Sequence, residues 1–148
     1  MLGDRAILLL LAVYGMRSGE VAALRLDQID WPGGTLRLFR LKRRQPQIYP
    51  LVPFAAEALA RYIDTVRPLS SCPEVFLWMH APRRPLKAGS TYDVANRRFV
   101  ALGIDAAHRG GHALRHACAS RLLAEGRSRR SGTIWDIAAR RQPASTPR

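Results

Sequence analysis

From Ala6 to Tyr14 the chain reads Ala-Ile-Leu-Leu-Leu-Leu-Ala-Val-Tyr, with no polar side chain before the phenol. An apolar run of this kind is rich in helix formers, and a helix apolar on every side has to be buried. It is about half the length that spans a bilayer, and no signal-peptide cleavage pattern follows it. The expectation is a buried helix opening at Asp4, around which one domain assembles, since 148 residues suffice for a single core.

The rest of the chain is short periodic segments punctuated by Pro and Gly, with no internal repeat. Gly15 breaks the first helix, and Ser18 caps a second that is expected to reach about Leu26, with Glu20 in its first turn. Alternation over Thr35–Leu41 and a second extended run, Gln47–Val52, predict two strands. Lys42-Arg43-Arg44-Gln45-Pro46 joins them as a basic turn, which makes a hairpin with cations at its tip. After Pro53, the residues Phe54, Leu59, Tyr62, Ile63 and Val66 recur at helical spacing, and Pro68 closes that helix. Val75–Met79 reads either as a third strand or as a buried segment. Ser90 and Asp93 have capping-box spacing ahead of a helix ending near Gly103, and a last helix runs from about His112 to Glu125 and stops at Gly126. The fold class expected is mixed α+β, mainly helical, with a small antiparallel β-sheet. Residues 1–126 form the domain. Residues 127–148 form a basic tail, read as a flexible arm, a segment docking on another subunit, or sequence that does not fold.

Charge narrows the choice of partner. Lys and Arg number 24 against 11 Asp and Glu, a formal net charge of +13. Such an excess favours a polyanion, and nucleic acid first, because cations on phosphates release condensed counterions. A membrane surface comes second, and an Arg-covered surface without a specific partner is the bland alternative. The two cysteines, Cys72 and Cys118, have neither disulfide-framework nor metal-ligand spacing, in keeping with a reducing cytoplasm.

Two stretches carry the chemistry. Gly15-Met16-Arg17-Ser18-Gly19-Glu20 places an arginine at a glycine break before a helix, where its guanidinium can share an amide-rich helix start with an anion. His112-Ala113-Leu114-Arg115-His116 puts two histidines and an arginine three and four residues apart, on one helix face. Two arginines on one phosphodiester would give forked hydrogen bonds to its non-bridging oxygens and stabilise a pentavalent transition state, which lysine does less well. Singly, each has a plain reading: Arg17 as a surface cation, Lys42 as a solvated turn residue, the His pair as a metal site lacking a third ligand.

Together, in this order, these segments resemble the signature boxes of the tyrosine recombinase (phage integrase) family. The resemblance implies that Arg17 is the first active-site arginine, that His112 and Arg115 are the histidine and second arginine, and that Lys42 on the hairpin is the general acid for the departing 5′ oxygen. Arg43, Arg44 and His116 are expected to contact DNA, with His116 packing or hydrogen bonding beside the site. The implied reaction cuts and rejoins DNA through a 3′-phosphotyrosine, without cofactor or metal. The implied partners are double-stranded DNA and further copies of the protein on it, in a nucleoid-associated, cytoplasmic setting on a prokaryotic mobile element.

The family's tyrosine has no counterpart here. Tyr14, Tyr49, Tyr62 and Tyr92 all precede His112, and Tyr92, in an expected helix start, is not read as the nucleophile. Aligned on Arg141–Thr146, Arg140 takes the place of the family's last histidine, and the tyrosine falls one position beyond Arg148. No counterpart of the family's N-terminal clamp domain precedes Met1. The expectation is therefore a catalytically incomplete recombinase domain, with a non-enzymatic DNA-binding module as the alternative, and a metal-dependent phosphodiester hydrolase or a ribonucleoprotein component third.

Overall fold

The structure, a computed structural model, describes residues 2–39, 46–104 and 111–128. The fold is mixed α+β and mainly helical. The apolar run becomes α1 (Leu2–Val13), with Leu10 and Leu11 wholly buried, and α1 packs against α3 (Pro53–Thr65), α4 (Ala88–Ala101) and α5 (Gly111–Ser128). Its apolar run takes the centre, with Ala6, Ile7, Leu10, Leu11 and Val13 buried and Leu8 and Leu9 partly so. No helix among the described residues is long and apolar enough to cross a membrane.

A short helix α2 (Ser18–Ala22) follows, then a 3-10 turn over Leu26–Gln28. The expected helix to Leu26 is cut short from outside the segment. The Val75 N–H donates to the Leu24 carbonyl (2.7 Å) and the Leu26 N–H to the Pro73 carbonyl (2.8 Å). Those backbone groups are thereby taken from the helix ladder. The 72–75 stretch is itself held by the Arg67 guanidinium, which donates to the carbonyls of Cys72 (2.7 Å), Glu74 (2.9 Å) and Val75 (3.1 Å).

The sheet has three antiparallel strands in the order β1 (Ile29–Asp30), β2 (Thr35–Phe39), β3 (Pro46–Pro50). Leu36 pairs with Tyr49 and Arg37 with Ile48. Leu36 and Leu38 face the core while Arg37 and Phe39 are exposed, the alternation expected of a half-buried sheet. β1, only two residues long, gave no signal in the sequence. Val75–Leu77 is a buried segment: it is wholly interior, and its neighbourhood makes only isolated bridges, Arg25 with Glu74 and Leu77 with Pro85.

Pro53 occupies the first turn of α3, as its missing N–H allows. α4 starts at Ala88 with Lys87 as N-cap, so the Ser90–Asp93 spacing does not mark its start. Two tertiary bonds place that start: the Leu86 N–H donates to the Phe76 carbonyl (3.0 Å), and Thr91 Oγ1 donates to the Ser18 carbonyl (2.9 Å). α5 continues through Gly126 to Ser128 rather than stopping at the glycine. A glycine inside a helix weakens it by roughly 1 kcal/mol, too little to end it alone.

Candidate functional site

Arg17 sits at the N-cap of α2 with extended backbone (φ −77°, ψ 152°) and a side chain that is 45% exposed. Glu20, three residues on, reaches back to it. One Glu20 oxygen accepts the Arg17 backbone N–H at 2.8 Å and the other accepts from the guanidinium at 3.3 Å. This is the reciprocal half of a capping box, and it also aims the arginine. The i+3 spacing of Glu20 from Arg17 is the sequence signal for this reciprocal bond.

Beside Arg17 lies a cleft of about 540 Å³, walled by Arg17, Glu20, Arg25 and Gln28 on one side and by Leu38 and Phe39 on the other. The second wall is the last of β2, the strand that precedes Lys42 in the sequence. Lys42, Arg43 and Arg44 themselves lie outside the described residues.

Arg115 lies beside Gly15. Gly15 has φ +59°, and a Cβ built on it would lie 3.6 Å from Cys118 Sγ and 3.8 Å from Arg115 Cγ. Cys118 is buried, its thiol hydrogen-bonded to the Val13 carbonyl (3.4 Å). Cys118 thus seats α5 on the end of α1, and its neighbour one turn back, Arg115, is carried to within two residues of Arg17. Leu114 packs on the core from the same helix. His112 lies in the first turn of α5 by its backbone, and its side chain falls outside the described part of the structure. His116 is exposed, off the stripe that α5 buries through Leu114 and Cys118.

Tyr14, which sequence reasoning quoted without a role, joins the other flank. It is almost wholly buried; its hydroxyl donates to the Pro50 carbonyl (3.0 Å) and accepts from the Val52 N–H (3.0 Å). Its ring meets that of Tyr49 edge-on, centroids 6.1 Å apart. Burial pushes the Tyr14 phenol up to about 12, and also raises that of Tyr62, so both stay protonated. A nucleophilic tyrosine needs the opposite tendency. Tyr92 is partly exposed on α4, and the Tyr49 hydroxyl donates to Gln47 Oε1 (2.7 Å).

Residues 2–131 match the model of the phage integrase family. The chain is 38% identical over 123 residues to putative integrase/recombinase y4gC of Sinorhizobium fredii, covering 82% of this chain and 63% of that protein. It is 33% identical over 133 residues to the tyrosine recombinase XerD of Xanthomonas campestris, covering 84% of this chain and 41% of the relative. The chain therefore spans less than two thirds of these relatives. The crystal structure of XerA recombinase superposes with a TM-score of 0.70 at 22% identity, over 92% of this chain and 47% of that one, a likeness of fold.

Proposed function

Because this chain belongs to the phage integrase family, we propose that it grips a phosphodiester of double-stranded DNA between Arg17, Lys42 and Arg115, with His112 alongside, as part of site-specific DNA recombination. The observation that carries the reading is the seating of α5 on Gly15, which brings Arg115 beside the Arg17 loop although 98 residues separate them in sequence. Two guanidiniums flanking one phosphate give forked, charge-assisted bonds and stabilise the added charge of a phosphoryl transition state. Lys42, a few residues along the chain from the cleft's second wall, would supply the proton to the departing oxygen.

Burial holds the Tyr14 and Tyr62 phenols protonated, and no tyrosine follows Arg115 in the 148 residues. We therefore propose that residues 1–148 alone bind DNA without forming the phosphotyrosine. Arg43, Arg44 and His116 would add contacts to the duplex, and several copies would assemble on it. Residues 1–126 are proposed as the DNA-gripping domain and 127–148 as a basic tail. The test is fluorescence anisotropy with duplex DNA over a range of salt. Each of Arg17→Ala and Arg115→Ala is expected to weaken binding and to flatten the slope of log affinity against log salt by roughly 0.9. Unchanged affinity in both variants would remove the phosphate grip. Incubation with a nicked suicide duplex is expected to leave no covalent adduct on a denaturing gel, and an adduct would reveal a nucleophile among these residues.

A further inference from the structure

We infer that Arg25 is a second phosphate-binding arginine, which takes a further phosphate of the duplex in the cleft it shares with Arg17. The inference rests on the phosphate-gripping role of Arg17 and goes beyond it by assigning a second contact on the same wall. Arg17 and Arg25 both line the cleft of about 540 Å³, and among its described lining residues they are the two cations. Glu20, the one carboxylate in that lining, is already engaged by the Arg17 N–H and guanidinium. The other wall is apolar, with Leu38 buried and Phe39 exposed. A cleft of this size has room for more than a bare anion, and cations with an apolar wall suit a phosphate together with its sugar.

The chain holds the two arginines by the same device. Each sits at the N-cap of a short helical turn with extended backbone, ψ 152° at Arg17 and 153° at Arg25. Each has its N–H accepted at 2.8 Å by a side-chain oxygen three residues on, from Glu20 and from Gln28. Arg25 is also pinned from outside: the flanking Leu24 carbonyl and Leu26 N–H bond to Val75 and Pro73, which leaves Arg25 bridged to Glu74. The Arg67 guanidinium, in turn, grips the carbonyls of that stretch. With its backbone fixed in this way, Arg25 has only a side chain to order on binding. The present partner of that side chain is a weak one. Asp27 accepts from Arg25 Nε (3.2 Å) and Nη2 (3.5 Å), a fork between exposed groups that contributes little in water. A duplex phosphate offers the same forked acceptor and adds counterion release, so it displaces Asp27. Asp27 is thus a stand-in for the phosphate, and removing its charge frees the guanidinium for DNA.

The experiment measures duplex-DNA affinity by fluorescence anisotropy over a range of salt, for Arg25→Ala, Asp27→Asn, Arg17→Ala and their combinations. The control pair is Arg61 and Glu57 on α3, an exposed ion pair of the same kind whose members are not among the described residues lining the cleft. Arg25→Ala is expected to weaken binding about threefold or more and to flatten the slope of log affinity against log salt by roughly 0.9, while Arg61→Ala leaves that slope unchanged. With Arg17→Ala the flattening should reach roughly 1.8, as two arginines on separate phosphates require. Asp27→Asn is expected to tighten binding about threefold in the wild type, and on the Arg25→Ala background no more than Glu57→Gln does, because what it releases is the arginine. Arg25→Ala indistinguishable from Arg61→Ala, or a double variant no flatter than Arg17→Ala alone, would overturn the inference and leave the Arg17 grip standing. A wild-type chain that does not bind duplex DNA would bring down the phosphate reading, and this inference with it. Should Arg25→Ala fail to fold, Asp27→Asn decides by itself: tightening beyond that of Glu57→Gln supports the second contact, and none overturns it.

Discussion

Glu20 holds Arg17 twice, its two carboxylate oxygens separately accepting the backbone N–H at 2.8 Å and the guanidinium at 3.3 Å. The backbone bond satisfies one of the orphan donors at the start of α2, whereas the ion pair is largely solvent-facing on the arginine's side and adds little stability. Glu20→Ala is expected to lower stability by about 1 kcal/mol, as loss of a capping acceptor does, while Glu20→Gln keeps the acceptor and should stay within about 0.5 kcal/mol of wild type. Urea denaturation midpoints measure both. A Gln variant as unstable as the Ala one would make the charge, not the cap, the active ingredient.

Gly15 adopts φ +59°, and the neighbours a Cβ would meet lie at ordinary contact distances, 3.6 Å and beyond. Conformation rather than crowding therefore sets the penalty for substitution. Gly15→Ala is expected to destabilise by about 1–2 kcal/mol, and Gly15→Asn by less, because asparagine tolerates the left-handed region. If chemical denaturation shows Asn to be as costly as Ala, contact with Cys118 and Arg115 governs this position instead.

Stability should fall in strongly alkaline solution, with part of the slope traceable to the Tyr14 phenol. Up to pH 10 Tyr14 is protonated in the folded and unfolded chains alike, and its contribution is intact. Between pH 10 and about 12 the unfolded chain gives up the proton while burial keeps it on the folded one, so the unfolded state gains. From this group the loss is about 1.4 kcal/mol per pH unit, reaching roughly 2–3 kcal/mol at pH 12. Tyr62, also raised by burial, acts in the same direction. Urea midpoints from pH 9 to 12 should decline less steeply for Tyr14→Phe than for wild type. Parallel curves would contradict the burial of an un-ionised phenol.

The sequence by itself determined what local periodicity and residue chemistry can encode. The apolar run Ala6–Tyr14 had to be an interior helix, the alternation around Leu36 and Leu38 had to be a half-buried strand, and Arg17, Lys42, His112 and Arg115 stood in the family's order. A helix face and a strand face are written in spacings of three, four and two, which a linear reading detects. Tertiary structure decided where elements stop and which residues meet. α2 ends early because Leu24 and Leu26 bond to a segment about 50 residues away, α4 starts at Ala88 because Phe76 and Ser18 fix its first turn, and Arg115 comes beside Gly15 because Cys118 seats α5 on the end of α1. Those contacts leave no periodic trace, since each depends on a backbone group or a missing Cβ rather than on side-chain pattern. The Tyr14 hydroxyl is the same case: its letter is visible in the sequence, but its two partners exist only once β3 has folded back against the end of α1.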